Sequence, residues 1–264
     1  MLKYLLVAAL FLTGFHQLYA QPASFSSKGI GGGGALFFPR INPANDDEFY
    51  VACDMSELFH STDFGNTYTQ LPFTSLQALN VSTYEYTNNS MIAYSNFNDG
   101  NNGYAVKTTD GGATWNILRG YDASQGEVYA MKANYNKPNQ VLLDYYGKIT
   151  ISNDSGNTFT TVASASSSGV GLIMCGTFIT GDSIYIGTNQ GIYFSSDGGS
   201  TFSLMTTTGI PSGQVVWQFI GAKSGATIRF FCITGSTTNV YNGLMPWDYS
   251  GDRKSTRLNS SHNA

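Results

Sequence analysis

Apolar and aromatic positions along this chain fall in short alternating runs, separated by clusters of Gly, Asn, Asp and Ser. The runs come in pairs: 49–52 (Phe-Tyr-Val-Ala) with 58–61 (Leu-Phe-His-Ser), 91–94 (Met-Ile-Ala-Tyr) with 104–107 (Tyr-Ala-Val-Lys), 141–143 (Val-Leu-Leu) with 149–151 (Ile-Thr-Ile), and 183–186 (Ser-Ile-Tyr-Ile) with 192–194 (Ile-Tyr-Phe). Alternation with a period of two, bounded by turn residues, predicts β-hairpins. Two more runs, 215–220 (Val-Val-Trp-Gln-Phe-Ile) and 229–233 (Arg-Phe-Phe-Cys-Ile), predict strands of a fifth unit. The Asn- and Gly-rich stretch 95–103 predicts a long loop at a hairpin tip.

Each of the first four pairs leads into the same octet, Ser/Thr-x-Asp-x-Gly-x-Thr-aromatic. The copies run from Ser61 to Tyr68, Thr108 to Trp115, Ser152 to Phe159 and Ser195 to Phe202. Their aspartates, Asp63, Asp110, Asp154 and Asp197, are 47, 44 and 43 positions apart, the repeat length of a four-stranded propeller blade. The local chemistry is that of a turn. The aspartate hydrogen-bonds its own backbone, Gly65, Gly112, Gly156 and Gly199 take the positive φ, and Thr with an aromatic ring restarts a strand. A residue repeated in every blade serves every blade, so these aspartates and glycines are read as structural. The expected fold is an all-β propeller with about four and a half blades present of a ring of seven. A propeller left open exposes a blade edge and half of an inter-blade core, so such a piece is expected to be marginal alone.

Composition agrees with short strands and tight turns. Charged residues make up 11% of the chain, while Tyr and Phe number 17 each. Residues 1–20 read as a secretory signal, with Lys3, an apolar run from Leu5 to Leu12, and cleavage after Ala20. No second apolar stretch is long enough to span a bilayer, so the expectation is a secreted or cell-surface protein with no membrane span in the mature chain. Residues 252–262 resemble an in-frame translation of a common sequencing adapter, and 252–264 are read as an artefact tail. The propeller is therefore assigned to residues 21–251, with the natural protein continuing beyond them. Between those ends nine basic residues face 16 acidic ones, a balance near −7 that argues against nucleic acid as a partner.

Candidate chemistry is sparse. His16, His60 and His262 are isolated, giving no metal-ligand spacing, and His60 reads as a strand residue beside a turn. Cys53, Cys175 and Cys232 lie in apolar runs and allow at most one disulfide. The segment from Gly29 to Gly34 fits the letters of G-x-G-x-x-G, but no βαβ unit surrounds it, so no dinucleotide cofactor is expected. A catalytic acid should break the repeat. Nine positions before each octet aspartate stand Asp54, Asn101, Tyr145 and Thr188, with Asp144 one place off. Asp54 is the single acid in that register.

The glycine cluster 31–34, Asn42-Pro43, the run from Phe49 to Asp54 and the run from Leu58 to Asp63 together resemble the opening of the family-74 glycoside hydrolases, the xyloglucanases. The likeness is close over residues 29–70 and continues only through the Asp-boxes; it extends to sortilin-like propellers. It implies Asp54 as the catalytic base of an inverting β-glucan or xyloglucan hydrolase, with the acid supplied by a second propeller this chain does not reach. The family's Gly-Gly after that aspartate is here Ser56-Glu57. Inversion needs two carboxyls roughly 6.5–9.5 Å apart, so the chain as it stands is expected to be inert.

Two other readings stay open. Propellers also bind glycans or proteins without chemistry, and Tyr84, Tyr86, Tyr145, Tyr146 and Trp217 are candidate sugar-stacking rings, although most aromatics must fill inter-blade cores. A sialidase-like site would need an arginine cluster. Only Arg40, Arg119 and Arg229 are available outside the tail, and Arg40 reads as a surface residue before Asn42-Pro43. A polysaccharide or cell-surface glycan is the expected partner.

Overall fold

A computed structural model describes residues 26, 34–55, 57–78, 82–98, 103–121, 128–145, 147–164, 172–207, 210, 212, 214–236 and 241–248. Residues 1–20, read above as a signal segment, and 252–264, read as a tail, lie outside them. Met1–Gly31 forms a separate unit in which only Ser26 is described; every strand lies in the second unit, Gly32–Ala264.

The described residues form strands and no helix, arranged as a β-propeller. Blade one contains β1 (Leu36–Asn42), β2 (Asn45–Cys53), β3 (Leu58–Ser61) and β4 (Thr69–Gln70). Blade two contains β5 (Tyr84–Tyr86), β6 (Ala93–Asn98), β7 (Gly103–Thr108) and β8 (Asn116–Ile117). Blade three contains β9 (Val128–Ala133), β10 (Val141–Tyr145), β11 (Lys148–Ser152) and β12 (Thr160–Ser164). Blade four contains β13 (Met174–Thr180), β14 (Ser183–Thr188), β15 (Gly191–Ser195) and β16 (Ser203–Leu204). A fifth sheet has three strands, β17 (Gln214–Ser224), β18 (Thr227–Ser236) and β19 (Tyr241–Asp248). Every sheet is an antiparallel meander in chain order.

The period-two pattern works on both faces of each blade. In β10, Val141 and Leu143 pack toward blade two with Tyr94, Ala105 and Tyr121, while Leu142 packs toward blade four with Ile184 and Ile186. In β14, Tyr185 turns the other way, onto Phe219 and Phe230 of the fifth sheet. Between blades one and two, Tyr50 stacks on Tyr84 with ring centroids 3.8 Å apart and on His60 at 4.1 Å. Each fully buried aliphatic or aromatic side chain contributes about 1.5–3 kcal/mol of transfer free energy, so the inter-blade seams hold the molecule together.

The octets form the turns between third and fourth strands. Ser61 Oγ and the Thr67 N–H donate to Asp63 Oδ1, and Thr67 Oγ1 donates to Oδ2. The same three contacts recur at Asp110, Asp154 and Asp197. The residue after each aspartate and the glycine that follows are both left-handed: Phe64 and Gly65, Gly111 and Gly112, Ser155 and Gly156, Gly198 and Gly199. Hydrogen bonds, led by the threonine hydroxyl, hold Asp63, Asp110 and Asp154 down at about 2 and Asp197 lower still.

The left-handed residue after each aspartate also donates its N–H to a carbonyl at or beside the turn joining first and second strands: Phe64 to Asp47, Gly111 to Met91, Ser155 to Asn139, Gly198 to Asp182. Octet turns and first turns therefore share one end of blades one to four. The turns between second and third strands lie at the opposite end, and Asp54 sits there.

Two details depart from the sequence reading. Strand β6 runs through Asn98, so residues 95–98 belong to the hairpin rather than to a loop. The fifth sheet gains β19, which turn chemistry did not announce. None of the three cysteines forms a disulfide; Cys53 and Cys232 are buried and Cys175 is half-buried.

Candidate functional site

Asp54 opens the exposed turn after β2, which is closed by the Cys53 N–H donating to the Glu57 carbonyl at 2.9 Å. Its carboxylate is held on one side: the Ala35 N–H donates to Oδ1 at 2.9 Å and the Cys53 thiol approaches the same oxygen at 3.7 Å. The Asp54 N–H returns the contact to the Ala35 carbonyl at 3.3 Å. Gly34 makes this approach possible. It has φ +93°, and a Cβ there would lie 2.6 Å from Cys53 Sγ and 2.7 Å from Asp54 Oδ1. The last glycine of the cluster thus lies directly against the candidate aspartate.

A separate cavity of about 550 Å³ opens among the first strands of the blades, within the ~300–1,000 Å³ range of small-molecule sites. Its walls include Arg40 of β1, Tyr129 and Lys132 of β9, Asp144 of β10 and Trp217 and Gln218 of β17. Asp54 is not among its lining residues, and neither are Arg119 and Arg229. The arginine cluster required by a sialidase-like site is not assembled around this cavity.

One wall is organised by Glu85, which is 1% exposed at the end of an inter-blade contact. Arg40 Nε reaches Glu85 Oε1 at 2.8 Å and Lys132 Nζ reaches Oε2 at 2.7 Å, while the Thr83 hydroxyl donates to Oε1 at 3.0 Å. One carboxylate thereby joins the first strands of blades one, two and three. Burial opposes its charge, yet the Lys132 and Arg40 charges and the hydrogen bonds outweigh burial and hold Glu85 below the usual carboxylate range. Arg40, read from the sequence as a surface residue, is half-buried in this network.

Asp144 is the other buried acid among the described residues. Its Oδ2 accepts from the Met174 N–H of blade four at 2.7 Å, and its Oδ1 has no partner among the described residues. Burial, only partly offset by that hydrogen bond, pushes the carboxyl up to about 6. Nearby Cys175 donates to the Val216 carbonyl at 3.0 Å, and burial, with the Asp144 charge, pushes its thiol up to about 12. This is a packed thiol rather than a nucleophile.

The proposed stacking rings divide. Tyr84 and Tyr145 are buried in inter-blade seams and Tyr86 packs against one; Tyr146 lies outside the described residues. Trp217 lines the cavity, as does Tyr129, a ring the sequence reading passed over. Glu85 and Lys132 were also passed over. The available signal for Glu85 was a carboxylate in the middle of a strand pattern, 83–87 (Thr-Tyr-Glu-Tyr-Thr), where a charge needs a partner. Among the described residues no three His, Cys, Asp or Glu side chains group to hold a metal, and no helix is long and apolar enough to cross a membrane.

No family model matches the chain, and no curated protein matches it. Solved structures do. An ancestral GH74 enzyme superposes with a TM-score of 0.65 at 14% identity, over 89% of this chain and 32% of that one. The GH74 xyloglucanase from Xanthomonas campestris gives 0.59 at 16%, over 86% and 38%. YCF48 bound to D1 peptide gives 0.53 at 13%, over 81% and 65%. The chain spans about a third of the length of the two GH74 structures. Identities this low carry the propeller fold and nothing finer.

Proposed function

We propose that this chain is part of an exported, carbohydrate-active Asp-box propeller, in which Asp54 is the general base of an inverting β-glucan or xyloglucan hydrolysis carried out by the full-length protein. The observation that carries the reading is the placement of Asp54. It is exposed, at the blade end opposite the octet turns, with Oδ1 anchored by the Ala35 N–H and backed by Gly34. In this role the carboxylate takes a proton from a water that attacks the anomeric carbon. A second carboxyl, contributed from beyond the described residues, protonates the departing oxygen, and the two stand roughly 6.5–9.5 Å apart to admit the water. The test is turnover of xyloglucan and mixed-linkage glucan by the full-length protein. Asp54→Asn should abolish it; full activity in that variant removes Asp54 from the mechanism.

A second reading is favoured by the cavity. Rings and charged groups converge where Asp54 does not reach, an arrangement suited to binding without bond cleavage. On that reading the propeller is a glycan-binding surface protein, and the sugar binds unchanged.

A further inference from the structure

We propose that the cavity among the first strands is a binding site for a carboxylate-bearing sugar. In this site Arg40 and Lys132 take the carboxylate, Asp144 accepts from a ring hydroxyl, and Tyr129 and Trp217 pack on the sugar's C–H face. The inference rests on the reading of this propeller as a glycan binder, and is independent of catalysis at Asp54.

Charge and hydrogen-bonding capacity select the ligand. Arg40 and Lys132 both contact Glu85, so they stand side by side on the wall, each about one-third exposed. Glu85 offsets one of the two positive charges. A guanidinium carries five N–H donors and an ammonium three, and Glu85 and Thr83 occupy only part of that capacity. The pair is therefore built to accept a second anion from the cavity side.

Asp144 adds a different requirement. It is 1% exposed, lines the cavity, and carries a buried Oδ1 without a donor. An unsatisfied buried acceptor is costly, and a ligand hydroxyl supplies the missing donor. In the β9–β10 ladder Asp144 pairs with Ala130 and Leu142 with Lys132, which makes Asp144 and Lys132 diagonal neighbours on one face of the sheet. One sugar ring can bridge such neighbours, carboxylate to the cation and hydroxyl to the acid. The negative Asp144 also disfavours a dianion such as a phosphate monoester. The exposed ring of Tyr129, at 47%, offers the flat apolar surface that a sugar's C–H face requires.

The experiment is calorimetric titration of the full chain with tri-galacturonate and, as the neutral probe, cellotriose. Lys132→Met should abolish tri-galacturonate binding. Gln218→Glu places a negative charge on an exposed wall position, and should weaken the acidic sugar about tenfold or more, well beyond any change for cellotriose. Because Gln218 is outside the core, that variant decides the matter even if Lys132→Met does not fold. Tri-galacturonate bound no more tightly than cellotriose, or bound equally by Gln218→Glu, overturns the acidic-sugar site and leaves glycan binding standing. Binding of neither sugar overturns both.

Discussion

Lys132 Nζ lies 2.7 Å from Glu85 Oε2, and this contact joins the first strands of adjacent blades across 47 residues of chain. Arg40 completes the bridge from the other side. Removing one member of a buried ionic network leaves the others desolvated and unpaired, at a cost of about 3–5 kcal/mol when both partners are buried. Here the two cations are partly exposed, which reduces that figure. Glu85→Gln should lower unfolding stability by about 2–3 kcal/mol in urea melts, and a variant with unchanged midpoint contradicts the bridging role.

The acids divide into two classes with opposite pH responses. Asp63, Asp110 and Asp154 titrate at about 2 when folded, below their unfolded value of about 3.9. Their contribution is present above pH ~4 and is lost as pH falls toward 2. Glu85 acts in the same direction. Asp144 titrates at about 6, above its unfolded value, so its contribution is complete below pH ~4 and is lost as pH rises through 6. Stability measured against pH should therefore peak near 4 and decline from there to about 6. Asp144→Asn should flatten the decline on the alkaline side while leaving the acid limb in place.

Blade four meets the fifth sheet through a backbone approach that tolerates no side chain. A Cβ on Gly176 would collide with the Phe219 carbonyl oxygen, and one on Gly187 with the Phe219 side chain at Cβ. Because the obstacle at Gly176 is backbone, Gly176→Ala should cost about 3 kcal/mol or more. Gly225→Ala is the control. Its φ is +58° with no atom within 4 Å, so it should cost only about 1 kcal/mol, from strain alone. Equal melting temperatures for the two variants would contradict the close packing.

What the sequence made legible follows from range. The octet turns are written within eight consecutive residues, so their period shows the blade repeat, and the alternation of Val141, Leu142 and Leu143 shows two buried faces. The site is less legible because its members are distant. Arg40 and Glu85 are separated by 45 positions, and nothing near Arg40 in sequence says that a carboxylate awaits it. The second left-handed residue of each turn was equally hidden, since Phe64 and Ser155 carry no glycine signature. Asp54 stands out by register as the acid that breaks the repeat, and the closeness of Gly34 to it shows only once β1 is placed against the turn. Asp144 stood one place out of register; its burial and unpaired oxygen belong to the packing of blade three on blade four.

The most direct test of the proposed chemistry follows reducing-end anomers by time-resolved proton NMR as full-length protein cleaves xyloglucan, with the Asp54→Asn variant alongside. With Asp54 as the base of an inverting cleavage, the first-formed sugar is the α-anomer, inverted from the β-linkage, and no product accumulates with Asp54→Asn. First-formed β-anomer, or cleavage by the variant at the wild-type rate, would contradict it.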